Sequence, residues 1–420
     1  MTQRFVQGVN YWPRRKAMAW WSDFDAGEVR DEFAQIADLG LEVVRIFLLW
    51  DDWQPEPDRV PTRRLHELEA TLDAAHDVGL RLNVTFFVGH MSGPNWLPRW
   101  LLDDAAPLPS PRPRVSAGRP VTASYRNPFH DPVALDAEAT LLRTVAGAFA
   151  QHEGVDAWNL GNEPDLLARP RDAAAGRAWT RRMVEVVREV DPHHPVTLGL
   201  HADSLLGEVG LRPHDVFAET DRAVMHAYPM YLAMARGPLD PELVPFTNAL
   251  TRALTGGTPI WMEEWGGCTA APGEPSHVAT FPGPDGPYTQ FMASEADLAA
   301  YVEAVLAKLV EVGAPGSLLW NYADYDPALG DRPPLDTTGH ERTFGLVRAD
   351  GTPKPHAEVV RRVAADPPVV PDAPPRVVEL DVTPEAYHEA PARHAARLYR
   401  RYLERYEPGG LEATFAGGDA

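Results

Sequence analysis

The chain has 420 residues, which allows one barrel of about 250 residues or more with extensions, or two to three average domains. A formal net charge of -21 argues against nucleic acid and anionic membranes as partners. The composition, with 44% hydrophobic residues and 12 tryptophans, predicts a substantial folded core and excludes disorder over most of the length.

Cysteine usage and the N-terminus bear on the cellular compartment. Cys268 is the single cysteine, so an intramolecular disulfide is impossible, which fits a reducing environment. The first residues lead directly into a strand-like segment, without the apolar stretch of a signal peptide. No window approaches the roughly 20 apolar residues that a membrane helix requires. We therefore expect a cytoplasmic chain.

Strand-like and helix-like segments alternate along residues 1–365, a pattern typical of a parallel α/β sheet. Helices are predicted at 26–39, 62–78, 133–152, 173–190, 241–254, 295–312 and 354–364. Strands are predicted at 5–11, 41–49, 80–88, 155–160, 195–200, 223–227, 259–264 and 317–322. Eight strands favour a (β/α)8 TIM barrel over an open doubly wound sheet, because no glycine-rich phosphate loop follows the first strand.

The catalytic barrel is expected to span residues 1–365, and residues 366–420 form a short C-terminal extension. This extension has a β-like segment at 377–382 and a predicted helix at 384–406. Fewer than 60 residues are too few for a typical separate domain, so we expect an appendage packed on the barrel or on a neighbouring subunit. A homodimer is compatible with the sequence, although no motif demands it.

Polar or aromatic residues lie at the carboxyl end of every predicted strand. In a (β/α)8 barrel these ends open onto one face, where catalytic groups lie. The residues are Asn10 and Tyr11, Arg45, His90, Asn162 and Glu163, His201, His226 and Tyr228, Glu264, and Trp320 with Asn321. A structural core does not need such a set, so it indicates an active site.

Two of these residues are glutamates that end apolar, β-prone segments. Glu163 lies in Asn-Glu-Pro after the fourth strand, and Glu264 lies in Glu-Trp-Gly at the end of the seventh. One carboxylic acid and one carboxylate facing the same bond are the groups that glycoside hydrolysis uses.

These motifs resemble those of the retaining glycoside hydrolases of family 5, and the resemblance covers about residues 5–365. It implies that Glu163 is the acid/base and Glu264 the nucleophile. It implies no cofactor and no metal, and an oligosaccharide as the ligand. Further residues implied at the substrate are Arg45, His90, Asn162, His226, Tyr228 and Trp320.

The two glutamates need different protonation states. Glu163 must donate a proton, so we expect its environment to raise its pKa. Glu264 must stay ionised, which charge pairing with Arg45 and a hydrogen bond from Tyr228 would favour. A retaining mechanism further predicts that the two carboxyl groups lie about 5–5.5 Å apart. Asn162 is expected to hold the sugar 2-hydroxyl.

Glu263 precedes the predicted nucleophile, and adjacent strand residues point to opposite faces. We therefore expect only Glu264 to face the sugar, and Glu263 to form an ion pair with the helix ring or a loop. His201 is expected either to contact substrate or to form a hydrogen bond inside the barrel. Structural roles are expected for His193 and His194, Cys268, Asp324 and Asp326.

The segments at 8–13 and 344–351 are similar to the β-mannosidase-like subfamily 18 of family 5. The resemblance implies an exo-β-glycosidase that removes terminal mannose from short oligosaccharides. Long loops at 90–129, 267–293 and 323–345 favour a closed pocket and hence exo action. The alternatives are a β-glucosidase or glucanase, an endo-β-1,4-mannanase, a transglycosidase, and a catalytically silent sugar-binding barrel.

Overall fold

Eight parallel strands form the centre of the structure, a computed structural model that describes residues 3–408. They are β1 (Val6–Asn10), β2 (Val43–Leu49), β3 (Arg81–Val88), β4 (Val155–Asn162), β5 (Val196–Gly199), β6 (Ala223–His226), β7 (Ile260–Gly266) and β8 (Gly316–Trp320). They pair in the order β5-β4-β3-β2-β1-β8-β7-β6. A parallel bridge between His201 and His226 joins the two outer strands. The predicted (β/α)8 barrel is therefore confirmed.

The strands are buried on both faces, as expected for a parallel sheet covered by helices. All seven residues of β2 and all eight of β4 are buried, which explains why both read as nearly continuous apolar segments. Two polar side chains, Asn83 of β3 and Asn159 of β4, point into the barrel and donate hydrogen bonds to a buried carboxylate described below.

Helices surround the barrel where the sequence predicts them. The long ones are Ala26–Asp38, Thr62–Asp77, Pro132–Phe149, Ala173–Val190, Leu243–Leu254, Glu295–Glu311 and Pro355–Ala365. Short helices lie at Trp50–Trp53, Pro164–Leu167, Asp203–Leu206 and Pro213–Val216. Side chains of Asp25, Asp131, Asp172 and Ser294 accept backbone N–H groups at the starts of four long helices, which satisfies donors that the helix itself leaves free.

The long loops above the barrel have structure of their own. The loop after β3 contains the short strands Asn95–Trp96, Arg114–Ser116 and Arg119–Val121. The loop after β7 contains an antiparallel hairpin of His277–Phe281 and Tyr288–Met292. Short 3-10 helices lie at Ala17–Ala19, Arg99–Leu101, Pro229–Tyr231, Pro327–Leu329 and Gly339–Thr343.

The C-terminal extension differs from its prediction in two respects. The β-like segment at 377–382 forms no strand. The predicted helix at 384–406 is two helices, Pro384–Tyr387 and Pro391–Tyr406. Pro391 causes the break because it offers no backbone N–H and disfavours helical backbone at the preceding residue, and Ala390 accordingly has φ -151° and ψ 62°. Residues 409–420 lie outside the described residues.

The extension packs on the barrel through aromatic residues. The Tyr399 hydroxyl donates to Asp240 Oδ2 (2.6 Å), and its ring centroid lies 4.7 Å from that of Phe246. The Tyr387 hydroxyl donates to the Leu205 carbonyl (2.8 Å) after β5. Within residues 3–408, no helix has the length and apolar character needed to span a membrane.

Candidate active site

Arg45 lies at the centre of the strand ends and is fully buried. Its guanidinium donates to Glu264 Oε2 (2.9 Å), Asn162 Oδ1 (2.9 Å) and Asn10 Oδ1 (3.2 Å), and its Nε donates to the Thr85 hydroxyl (3.0 Å). The rigid fork thereby connects β1, β3, β4 and β7. Because Arg45 lies behind these side chains, it can reach a ligand only through Glu264 and Asn162.

Glu163 follows β4 with a left-handed backbone, at φ 45° and ψ 54°. Such a conformation costs a non-glycine residue about 1–3 kcal/mol and is characteristic of functional sites. The Glu163 N–H donates to the Gly199 carbonyl (3.0 Å), and Pro164 begins a short helix immediately afterwards. This turn brings Glu163 Oε1 to 3.1 Å from His226 Nδ1.

Glu264 faces Glu163 from the end of β7. Its Oε1 accepts a hydrogen bond from the Tyr228 hydroxyl (2.7 Å), while Arg45 binds its Oε2. One carboxylate oxygen of Glu163, one of Glu264 and a ring nitrogen of His226 all lie within 4.8 Å of one another. This separation is compatible with the carboxyl spacing of a retaining glycosidase, about 5–5.5 Å.

Asn162 and His90 lie beside this pair. The Asn162 Nδ2 donates to the His90 carbonyl (3.1 Å) while Arg45 donates to its Oδ1, so the amide orientation is fixed at both ends. The His90 Nδ1 lies 2.9 Å from Asn95 Oδ1. Burial lowers the pKa of His90 to about 4, so its ring is neutral at pH 7.

The prediction that Glu263 pairs with the helix ring or a loop is wrong. Its side chain does not reach the helix ring or a loop but lies inside the barrel, 1% exposed. Asn83 and Asn159 donate to its two oxygens (2.7 and 2.9 Å), and His226 Nε2 lies 3.2 Å from Oε2. Arg45 Nε lies 3.5 Å away, and the resulting charges lower the pKa of Glu263 to about 2 although burial raises it.

An irregularity of β7 explains the position of Glu263. The pairing register with β6 shifts between Met262 and Glu264, and that with β8 shifts between Met262 and Trp265. A bulge of this kind breaks the alternation of side chains and re-aims them. Glu263 and Glu264 therefore both belong to the site, one beneath the other.

The protonation of the two facing carboxyls also differs from expectation. Burial raises the pKa of Glu163, but the charges of His201 and His226 outweigh it and lower that pKa below the ordinary value. Burial, together with repulsion from Glu163, raises the pKa of Glu264. The predicted rise in the pKa of Glu163 is therefore wrong, because the pKa is lowered at Glu163 and raised at Glu264.

His201, which follows β5, lies at the cavity and also has a hydrogen-bond partner inside the protein. It lines the cavity beside Glu163, and its Nε2 lies 2.8 Å from Asp165 Oδ2. Burial lowers its pKa, but the charges of Asp165 and Glu163 raise it to about 10. His201 is therefore an imidazolium at neutral pH and is the main cause of the lowered pKa of Glu163.

These groups line a cavity of about 390 Å³. This volume is near the lower end of the range for small-molecule sites, about 300–1,000 Å³, and suits a short ligand. Trp320 from β8 supplies an aromatic surface there. The predicted site residues that line the cavity are His90, Asn162, Glu163, His226, Tyr228, Glu264 and Trp320.

One side of the cavity is formed by loops. Ser92, Tyr231, His340 and Glu341 line it and Tyr288 contacts His340, and we refer to these five residues as the wall. The hydroxyls of Tyr231 and Tyr288 lie 2.9 Å and 2.7 Å from the two ring nitrogens of His340. The Ser92 hydroxyl donates to Glu341 Oε2 (3.3 Å). The wall thus joins the loops after β3, β6, β7 and β8.

Sequence reasoning missed the wall and the asparagines around Glu263. The buried asparagines had a signal, since polar residues interrupt otherwise apolar strands at Asn83 and Asn159. The wall residues had none, because their loops carry no periodicity that indicates which side chains face a cavity.

In the described part of the chain, the side chains of Glu163, His226 and Glu264 are also close enough together to hold a metal ion. A metal requires neutral imidazole and free carboxylate oxygens. Nearby carboxylates raise the pKa of His226 despite its burial, and Arg45 and Tyr228 already bind the Glu264 oxygens. The donor set therefore favours proton transfer over metal coordination.

Cys268 and the histidine pair lie away from this chemistry. The thiol of Cys268 is buried and donates to the Phe291 carbonyl (3.2 Å), and burial raises its pKa to about 12. His194 Nδ1 lies 2.7 Å from Asp191 Oδ2. The backbone N–H of His193 donates to Asp191 Oδ1 (2.9 Å), so this aspartate organises the turn before β5.

Asp324 and Asp326 also have structural partners. Asp326 accepts the Ala328 N–H (2.9 Å) and caps the start of a 3-10 helix, which is a structural role. Asp324 instead accepts a hydrogen bond from the buried ammonium of Lys354 (2.7 Å), an ion pair that the sequence did not predict. Neither residue lines the cavity.

Comparison with known proteins agrees with the fold. A (β/α)8 barrel with facing glutamates after β4 and at the end of β7 is the architecture of a retaining glycoside hydrolase. The model of the cellulases of glycosyl hydrolase family 5 matches residues 5–296. The chain belongs to this family, which is a retaining clan. A search of curated protein sequences gave no match.

Solved structures of family 5 resemble the chain over most of its length. A subfamily 18 protein of Streptomyces cattleya in complex with GlcNAc is 22% identical, with a TM-score of 0.78, over 97% of this chain and 92% of that one. A variant of a Bifidobacterium longum subfamily 18 protein in complex with Manβ1-4GlcNAc is 19% identical, with a TM-score of 0.69, over 86% and 78%.

An exo-β-1,4-mannosidase from Opitutaceae bacterium strain TAV5 is 26% identical to the chain, with a TM-score of 0.70. The match covers 87% of this chain and 60% of that one. The similar structures thus include the subfamily that the sequence motifs resemble.

Proposed function

We propose that this chain is an exo-acting β-mannosidase of subfamily 18 that removes terminal β-linked mannose from short oligosaccharides with retention of configuration. The observation that carries the proposal is the facing pair Glu163 and Glu264, with oxygens within 4.8 Å, inside a cavity of about 390 Å³.

In the first step, Glu264 attacks the anomeric carbon while Glu163 protonates the glycosidic oxygen, and the bond between these two sugar atoms breaks. The result is a covalent glycosyl–enzyme and a free leaving alcohol. Arg45 and Tyr228 orient the attacking carboxylate through hydrogen bonds of 2.9 and 2.7 Å.

In the second step, Glu163 accepts a proton from a water molecule, which attacks the anomeric carbon and releases Glu264. The proton for the first step comes from the set formed by Glu163, Glu264 and His226, whose members lie within 4.8 Å of one another. Placing it on Glu163 leaves Glu264 charged beside Arg45, which is the arrangement that the attack needs.

The preference for mannose is supported by the similar structures. One of them is an exo-β-1,4-mannosidase, and another contains Manβ1-4GlcNAc. The wall supports exo action, because it joins four loops on one side of the cavity.

The experiment is hydrolysis of 4-nitrophenyl β-mannoside, β-glucoside, β-galactoside and β-xyloside, together with Manβ1-4GlcNAc. We expect preferred cleavage of the two mannosides and no cleavage by Glu264→Ala. A preference for the glucoside would contradict the assigned sugar. Activity only on mannan or glucan polymers would contradict exo action, and silence on every substrate would favour a sugar-binding barrel.

A further inference from the structure

Glu341 lines the same cavity as Glu163 and Glu264, and the mechanism above does not use its carboxyl group. It lies on the 3-10 helix Gly339–Thr343 in the loop after β8, and its side chain is 13% exposed. A carboxylate offers about four lone-pair positions to donors. The Ser92 hydroxyl, at 3.3 Å, occupies one of them, and the Trp320 side chain offers a second hydrogen bond.

The cationic partners that a buried carboxylate normally has are missing here. Within residues 3–408, no arginine or lysine nitrogen lies within 4.0 Å of the Glu341 carboxyl. The nearest ring is that of His340, whose Nε2 lies 3.5 Å from Oε1. Burial lowers the pKa of His340 to about 4, and Tyr231 and Tyr288 lie at hydrogen-bond distance from its two nitrogens. His340 is therefore neutral and offers Glu341 no charge.

Glu263, another buried acid of this site, has more hydrogen-bonding and charged partners than Glu341. Glu263 has two amide donors, an imidazole and a guanidinium around it. Burying a carboxylate with few donors costs free energy, so its persistence in a cavity suits a ligand that brings donors. Hydroxyl groups of a sugar are donors of this kind.

The position of Glu341 is held by the packing of two loops. Ser92 and Gly93 of the loop after β3 both have positive φ, 51° and 111°. A Cβ atom on Gly93 would lie 2.7 Å from Thr338 Cγ2, so only glycine allows this close approach. The contact places the Ser92 hydroxyl against Glu341 and closes that side of the cavity.

From these contacts we propose that Glu341 selects the non-reducing end of the substrate by accepting hydrogen bonds from the 4-hydroxyl and a neighbouring hydroxyl of the terminal sugar. A further sugar linked to that 4-hydroxyl would remove a donor and collide with the wall. Glu341 is thus the residue that makes the enzyme exo-acting. The inference rests on the proposed function and adds to it the part of the sugar that is recognised.

The test compares 4-nitrophenyl β-mannoside with its 4-deoxy analogue, on the wild-type protein and on Glu341→Gln. The wild type should lose roughly 100-fold in kcat/KM on the 4-deoxy substrate, the value of a lost hydrogen bond to a charged acceptor. Glu341→Gln should have a low kcat/KM on the parent mannoside. Its kcat/KM on the 4-deoxy analogue should be lower than that by less than about 3-fold. An equal 4-deoxy penalty in both proteins would overturn the proposal.

A second measurement uses 4-nitrophenyl β-1,4-mannobioside. The wild type should release mannose first, and Glu341→Ala should begin to release intact mannobiose. Glu303→Gln, a control on an exposed carboxylate paired with Arg362, should behave as wild type. Release of mannobiose by the wild type, or none by Glu341→Ala, would count against the selection role.

The same experiments distinguish failure of the proposed function from failure of the role proposed for Glu341. If the enzyme prefers a glucoside or galactoside, the assignment of mannose is wrong, and the 4-deoxy comparison is made on the preferred sugar with the same two outcomes for Glu341. If no glycoside of the panel is bound or cleaved, both proposals are overturned. Thermal unfolding of both Glu341 variants distinguishes lost recognition from lost folding.

Discussion

The strand ends and the wall form two sides of the same cavity and are built differently. At the strand ends, the buried side chains of Arg45, His226, Glu263 and Glu264 are joined by charged hydrogen bonds and ion pairs. In the wall, neutral groups are linked through His340, and Glu341 has no cationic partner within the described residues. Groups that carry out chemistry are preorganised, whereas a group that recognises a ligand keeps its hydrogen-bonding capacity free.

The largest effect is expected from Glu264→Ala, which removes the group that forms the covalent intermediate. We expect kcat to fall by about 10⁵-fold or more on every substrate, because no other group can replace the nucleophile. Steady-state and long-incubation assays measure this. A loss below 100-fold would show that the nucleophile lies elsewhere in the site.

Glu163→Ala should affect substrates according to their leaving groups. Natural disaccharides should lose about 10²–10⁴-fold, the usual contribution of a general acid. Substrates with activated leaving groups such as dinitrophenol should be spared in the first step, since these depart without a proton. Rates across a series of aryl mannosides provide the measurement, and an equal loss on all of them would remove Glu163 from this role.

Glu263→Gln tests whether the buried carboxylate beneath the site positions the groups above it. Removing its charge takes away one of the carboxylates that hold Arg45 and His226 in place, so we expect roughly 100-fold lower kcat with little change in KM. Because this breaks a buried ion pair, the free energy of unfolding should also fall by about 3–5 kcal/mol. Unchanged kcat in a destabilised protein would mean that Glu263 is structural alone.

Glu341 makes a prediction for stability against pH. Burial, followed by repulsion from Glu264, raises the pKa of Glu341 from 4.5 to about 7. Its contribution to stability is therefore complete below about pH 4.5 and is lost as the pH rises through about 7. At about 1.4 kcal/mol per pKa unit, the change amounts to about 3 kcal/mol.

The melting temperature of Glu341→Gln relative to wild type should therefore increase from pH 5 to pH 8. Glu303→Gln is the matched control, because its carboxylate is exposed. A constant difference between Glu341→Gln and wild type across this range would contradict a largely buried carboxyl without a cationic partner.

His201→Gln should have the smallest effect, a shift of the pH profile. The His201 imidazolium lowers the pKa of Glu163, so removing it should raise that pKa. An acid with a higher pKa stays protonated to higher pH, and the alkaline limb of kcat/KM should move upward. An unchanged or downward shift would show that His201 does not influence the acid.

The barrel and its glutamates could be predicted because both depend on local patterns. Strands buried on both faces read as apolar segments, and Glu163 and Glu264 interrupt them at the ends. The position of Glu263 could not be predicted, since the register shifts of β7 arise from pairing with β6 and β8. The assumption that side chains alternate strictly along β7 therefore placed the Glu263 side chain on the wrong face of the strand.

The wall and the C-terminal extension could not be predicted from the sequence either, because both depend on tertiary contacts. Glu341 reaches the cavity only because Ser92 and Gly93, far away in sequence, hold its loop. The segment at 377–382 has β-like composition but no strand to pair with in the described structure. Composition alone could not distinguish this case from a true strand.

The most direct test of the account is to trap the covalent intermediate with a 2-deoxy-2-fluoro-β-mannosyl fluoride. Mass spectrometry of the digested protein then identifies the labelled residue. We predict one fluorosugar on Glu264, with Glu163, Glu263 and Glu341 unlabelled. A label on any of these three, or an active enzyme that accumulates no labelled species and inverts the configuration of its product, would contradict the assignment.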